Sequence, residues 1–141
     1  MTSLLCQFVV PGEPQGKGRA RATKTGRLYT PGKTVAYESL VTLAAQRAMG
    51  DHLPTSQPVR LTLEAVFSMP HGWSAKKRTA HDDDWCLKKP DIDNIAKAVA
   101  DAGNGVIWQD DRQIVSLTGT KRWGTAGFVR VAVHLLEPKL K

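Results

Sequence analysis

Apolar positions recur along the chain with two distinct periods. Leu4, Cys6, Phe8 and Val10 alternate with their neighbours, which predicts a first strand, ended by Pro11-Gly12 and Pro14. Residues 15–33 break the alternation. They are rich in Gly, Arg and Lys, carry Tyr29 ahead of Pro31-Gly32, and predict a long loop or a flexible hairpin. From Thr34, a candidate N-cap, the spacing of Tyr37, Leu40, Val41, Ala44 and Ala48 predicts a helix reaching Met49 and closed by Gly50. Val59, Leu61, Leu63, Ala65 and Phe67 alternate strictly with Arg60, Thr62, Glu64 and Val66, so a second strand is expected there.

Residues 69–89 form a polar loop with a short helical turn expected near 74–78. Pro90 biases Lys89 toward extended backbone, and a helix is expected from about Asp93, with Ile92, Ile95, Val99 and Ala102 as its buried stripe. Asn104-Gly105 is a turn signal. Val106, Ile107 and Trp108 form a short apolar segment, with Trp108 expected in the core. Ile114, Ser116, Thr118 and Thr120 predict a third strand, residues 123–127 a turn, and Val129, Val131, Val133 and Leu135 a fourth strand. The order β-α-β-α-β-β predicts one α+β domain spanning residues 1–141, a small mixed sheet of about four strands with helices packed on one face.

The composition agrees with a single globular domain. The chain has 141 residues, 41% of them hydrophobic and 23% charged. No apolar run approaches the ~18–20 residues of a membrane-spanning helix. The apolar run at 4–10 is short and lacks a preceding cluster of positive charge, so export is not expected and the cytoplasm is the default compartment. Cys6 and Cys86 share no CxxC spacing and read as reduced thiols. The formal net charge of +7 favours a polyanionic partner, most simply nucleic acid.

The charges are segregated. Lys17, Arg19, Arg21, Lys24, Arg27 and Lys33 occupy a stretch without acids, whereas Asp91, Asp93, Asp101, Asp110 and Asp111 fall close together. Carboxylates beside a surface that attracts phosphates call for a cation between them. In extended backbone, residues two apart point the same way, so Asp91 and Asp93 can converge at a helix mouth, where the helix dipole favours negative charge. The helical period sets Lys97 one turn and Asp101 two turns beyond Asp93. The Asn104-Gly105 turn can return Asp110 or Asp111 to the same point. Converging carboxylates without His or Cys make an all-oxygen site suited to Mg²⁺, with Mn²⁺ a plausible substitute. Lys97 beside it can orient water or stabilise an anionic transition state. Read alone, Asp93 can also be a simple N-cap and Asp101 a solvated helix-surface residue.

The stretch KPDIDNIAKAVAD, followed by NG and IWQDDRQ, resembles the signature of the RusA family of Holliday junction resolvases. PGEPQGKGRARATKTGRLYTPGKTVAYE resembles the family's basic N-terminal segment, and the pattern from Pro70 to Lys77 is similar to that of phage-borne members. The resemblance implies a RusA-like fold and a Mg²⁺-dependent endonuclease that cuts four-way DNA junctions by paired nicks as a homodimer. It carries the metal-binding and catalytic aspartates to Asp91, Asp93 and Asp111, and the catalytic lysine to Lys97. Asp110 takes a supporting role. The sequence departs from the family at Gly103, where members commonly have a bulky apolar residue; the helix would then end a residue early.

Arg19, Arg21, Lys24 and Arg27 are candidate phosphate contacts, and Lys76, Lys77 and Arg78, with Lys88 and Lys89, extend the same surface. Tyr29 and Trp73 are expected to pack rather than stack on bases. The triplet Asp82-Asp83-Asp84 reads as a solvated run, and the four histidines show no ligand spacing. Two other readings compete with the nuclease: a structure-selective DNA-binding protein that does not cleave, and a small protein whose acids bind a structural cation.

Overall fold

The computed structural model describes residues 2–18, 21–29 and 32–138, with Arg21 and Tyr29 described through their backbones only. The described chain forms β1 (Thr2–Pro11), a two-residue hairpin β2 (Arg21–Ala22) and β3 (Leu28–Tyr29), α1 (Gly32–Met49), β4 (Val59–Ser68), α2 (Ala75–His81), α3 (Ile92–Ala102), a 3₁₀ turn (Asp111–Gln113), β5 (Ile114–Gly124) and β6 (Phe128–Leu136). This is an α+β domain with a four-stranded mixed sheet and three helices, as the sequence pattern leads one to expect.

The sheet order is β1-β6-β4-β5. β6 pairs antiparallel with both β1 and β4, whereas β4 and β5 run parallel. A parallel pair needs a crossover connection, and here the crossover contains α2, α3 and the acidic segment. The candidate chemistry is thus carried by one long connection.

Strict alternation gives β4 its two faces. Val59, Leu61, Leu63, Ala65 and Phe67 are buried, joined across the sheet by Val129, Val131 and Val133 of β6 and by Cys6 and Val10 of β1. Over them lie Tyr37, Val41, Ala45 and Met49 of α1 and Ile95, Val99 and Ala102 of α3. Each large aliphatic side chain so buried contributes about 1.5–3 kcal/mol relative to exposure. Ile92 lies over Gly119 of β5, where an added Cβ would approach its Cγ1 to 2.9 Å. Thr42 of α1 donates its hydroxyl to the Ala102 carbonyl at 3.0 Å, tying the two helices together. The opposite face of the sheet is polar, with Glu64 paired to Arg130 at 2.9 Å and to Arg122.

Several expectations are corrected in detail. Thr34 is not the N-cap of α1. It lies inside the helix, 4% exposed, and its Oγ1 accepts the Gly18 N–H at 2.9 Å. The buried stripe of α1 runs through Ala45 and Met49, leaving Leu40 46% exposed. Asp91, not Asp93, is the N-cap of α3, and its side chain makes no capping bond. β5 continues to Gly124 through the expected turn region. Pro31 and the last three residues lie outside the described residues.

Candidate functional site

A strap from Glu13 to Gly18 fixes the approach of the basic segment. Glu13 Oε1 accepts from the Ser68 N–H at 3.0 Å and from its hydroxyl at 2.8 Å, and Pro14 is buried. Lys17 donates its N–H to the Asn94 carbonyl at 3.0 Å. Gly16 passes so close to α3 that an added Cβ would lie 2.9 Å from the Cβ atoms of both Asn94 and Pro90. Lys17 is thereby delivered to the side of α3 that carries the acids.

There a row of alternating charges crosses four segments. Lys17 Nζ lies 2.6 Å from Glu38 Oε1 of α1 and 3.2 Å from Asp101 Oδ2. Lys97 Nζ donates to Asp101 Oδ1 at 3.0 Å and lies 3.6 Å from Asp111 Oδ2. The helical spacing of Lys97 and Asp101 is what lets one carboxylate hold both lysines. Asp101 is partly buried, not a free surface residue as its sequence context suggests. The hydrogen bond to Asp101 raises the Lys97 pKa, and the one to Glu38 raises that of Lys17. Both groups stay cationic near neutral pH.

The turn bearing Asp110 and Asp111 is held from two sides. Trp108 is fully buried and its indole N–H is shared between the Ala100 carbonyl and Asn104 Oδ1, each at 3.1 Å. Its ring packs on Gly103, where an added Cβ would meet Cζ2 at 2.6 Å. α3 ends at Ala102 with Gly103 as its C-cap. Gln113 accepts the N–H groups of Gln109 and Asp110 at 2.9 Å and donates to the carbonyls of Thr55 and Gln57 at 2.8 and 3.0 Å. Asp110 closes a capping box with Gln113, and the Arg112 N–H holds its carboxyl below the usual range. Gln113 was not singled out by the sequence; its signal is the three-residue spacing after Asp110.

Asp91 and Asp93 stand at the mouth of α3. Both are exposed. The Asp91 carbonyl accepts the Ile95 N–H at 3.1 Å, but its carboxylate has no hydrogen-bond or ion-pair partner among the described residues, and Asp93 Oδ1 accepts only the neighbouring Asn94 N–H at 3.0 Å. At about 1.5 Å of rise per residue, Asp91 and Asp101 are roughly 15 Å apart along the axis. Asp111 joins the row at Lys97. No three His, Cys, Asp or Glu side chains gather into a ready ligand set among the described residues. The donor chemistry of Asp91, Asp93 and Asp111 still fits a hard divalent ion: carboxylates alone, two of them free of strong partners.

Asp91 also lines a cleft of about 610 Å³, together with Asn94 and four lysines, Lys17, Lys33, Lys88 and Lys89. With Glu13 also in its lining, the cleft sets two carboxylates against four ammonium groups and is basic on balance. The other predicted contacts vary. Arg19 and the Arg21 side chain lie outside the described residues. Lys24 and Arg27 are exposed on the small hairpin, as are Lys76 and Lys77 on α2, with Lys77 Nζ 4.5 Å above the Trp73 ring. Arg78 instead donates to the carbonyls of Trp73 and Pro70 at 3.3 and 2.8 Å, holding its own loop. Trp73 packs on Trp123 and His81, as expected for a packing residue.

Fold and site together define a small α+β domain with an acid–lysine row beside a basic cleft, the equipment of a protein that handles phosphodiesters. The chain belongs to the RusA family: residues 11–135 match the family described as Endodeoxyribonuclease RusA. Members of this family are endodeoxyribonucleases that act on Holliday junctions. The chain is also similar to an uncharacterized protein, YqaN, of Bacillus subtilis (strain 168), at 31% identity over 135 residues, covering 91% of this chain and 94% of the relative. No helix among the described residues is long and apolar enough to cross a membrane.

Proposed function

We propose that the protein is a Mg²⁺-dependent endonuclease that resolves four-way DNA junctions by paired symmetric nicks, acting as a homodimer in the cytoplasm. The observation that carries this reading is the Lys97–Asp111 approach at 3.6 Å, linked through Asp101 to Lys17 of the lysine-lined cleft that contains Asp91. Asp91, Asp93 and Asp111 would hold Mg²⁺, and Mn²⁺ in its stead. A cation held there would supply Lewis acidity for water activation and for neutralising charge on the phosphodiester.

The chain's own residues do the rest. Lys17, Lys33, Lys88 and Lys89 hold the backbone of the strand to be cut. Lys97, kept charged by Asp101, stabilises negative charge at the scissile phosphate. Arg19, Arg21, Lys24 and Arg27 on one side, and Lys76 and Lys77 on the other, clasp the junction arms, while Arg78 steadies the loop presenting the latter pair. A four-way junction has approximate two-fold symmetry, and a C₂ dimer offers two matched sites.

The test is a labelled four-way junction incubated with Mg²⁺ or with EDTA. Symmetric nicks that require Mg²⁺, and that vanish in Asp91→Asn while junction binding persists, are expected. Binding without nicks in Mg²⁺ or Mn²⁺ would instead make this a non-cleaving DNA-binding protein.

A further inference from the structure

Between α2 and α3 the chain runs as an extended arm along the C-terminal half of β5. Asp84 accepts the Trp123 N–H at 2.9 Å, and Cys86 donates its own N–H to the Lys121 carbonyl at 3.0 Å. Trp85 forms an antiparallel bridge with Arg122, and Lys121 Nζ holds the Lys88 carbonyl. The arm is therefore pinned at both ends.

Neighbouring side chains of extended backbone point to opposite faces. Cys86 is turned inward, 4% exposed. Trp85 and Leu87 are both turned outward, 66% and 94% exposed. The other tryptophans differ: Trp108 is fully buried, and Trp73 and Trp123 pack together with ring centroids 5.1 Å apart. The Trp85 indole has no ring or cation contact among the described residues. One exposed leucine carries no information. An indole and a leucine on one face of a pinned arm, next to Lys88 and Lys89 of the basic cleft, do.

We propose that Trp85 and Leu87 form a platform for unstacked nucleobases of a DNA strand whose phosphates lie along Lys88 and Lys89. This rests on the DNA-directed reading above and specifies what part of the DNA is recognised. Every base has a π-face, so an aromatic platform beside a cationic groove binds open strands without sequence choice. Paired bases inside a duplex have no free face to offer. The platform thus favours the branch point of a junction, where bases unstack, over its arms.

The test uses the full chain in EDTA, titrated with a short oligothymidylate and with a duplex of equal length, following tryptophan emission and fluorescence anisotropy. The oligothymidylate should quench the emission at saturation and the duplex should not. Trp85→Ala combined with Leu87→Ala should weaken single-strand binding about tenfold or more, change duplex affinity less than twofold, and abolish the quench; Trp85→Phe should keep most of the affinity. Both residues are exposed, so an unchanged thermal transition shows that the variant is folded. Undiminished single-strand binding without quenching overturns the platform and leaves the DNA reading intact. A dimer that falls to monomer in the variant, with single-strand affinity per protomer unchanged, assigns this face to a second copy and also overturns it. Failure to bind any DNA at low salt removes the DNA reading and the platform together.

Discussion

Lys97 and Asp101 stand one helical turn apart on α3, and a single carboxylate holds two lysines, one oxygen accepting from Lys97 at 3.0 Å and the other lying 3.2 Å from Lys17 Nζ. Asp101 thus links the cleft to the lysine that approaches Asp111. Its two ion pairs are with Lys17 and Lys97, and the role expected of it is to position Lys97. Asp101→Asn should slow single-turnover cleavage of a junction roughly tenfold, as small misplacements of reacting groups do, with junction affinity nearly unchanged.

That variant also has a pH signature. The Lys97 pKa lies above its usual 10.5, chiefly through the Asp101 hydrogen bond. The pair's contribution is complete below pH 10.5 and is lost as the pH rises through the higher folded value. Activity of the native protein should therefore show no loss from Lys97 between pH 7 and about 10, whereas in Asp101→Asn the alkaline limb should move to lower pH. A rate–pH profile on both proteins checks this; identical alkaline limbs would show that Asp101 does not govern the lysine.

Lys97→Ala should reduce the cleavage rate by about a hundredfold, the scale of removing one preorganised charge-stabilising group, while affinity stays within about twofold. Equal losses in both quantities would make Lys97 an ordinary phosphate contact. Rate and affinity measured on the same junction separate the two.

The basic hairpin predicts salt behaviour. Each phosphate contact removed should lower the slope of log affinity against log salt by about 0.9. Arg19→Ala with Arg21→Ala, and separately Lys24→Ala with Arg27→Ala, should flatten the slope and weaken binding at low salt. Unchanged slopes in both pairs would remove the hairpin from the interface.

Gly103 faces the ring of Trp108, with room for no further carbon. Gly103→Leu should cost about 1–3 kcal/mol through overpacking and lower the melting temperature by several degrees. Trp108→Phe should also destabilise, because Ala100 and Asn104 lose their shared donor. Calorimetry or thermal circular dichroism reads both.

Much of this molecule was legible in the order of its residues. The alternation in β4 and the stripe Ile95, Val99 and Ala102 act locally, so periodicity alone finds them. The acidic signature was legible because its spacing is short. What escaped depends on partners distant along the chain. Thr34 looks like a cap until Gly18 takes its hydroxyl. Asp101 looks solvated until the strap brings Lys17 to it. β5 outruns its apparent turn because β4 and the arm at 84–88 pair with its two edges. The three aspartates could be named from the resemblance. That no three such acids gather into a ready ligand set among the described residues was not foreseen.

Gly16 has a consequence for the whole basic hairpin. At that point the strap rests on Asn94 and Pro90 with no side chain between, and a single methyl group would have to displace one of them. The direction in which the hairpin leaves the domain is set at its thinnest layer of atoms. Gly16→Ala would act as a shim, tilting the cationic arm away from the acidic helix without altering one charge.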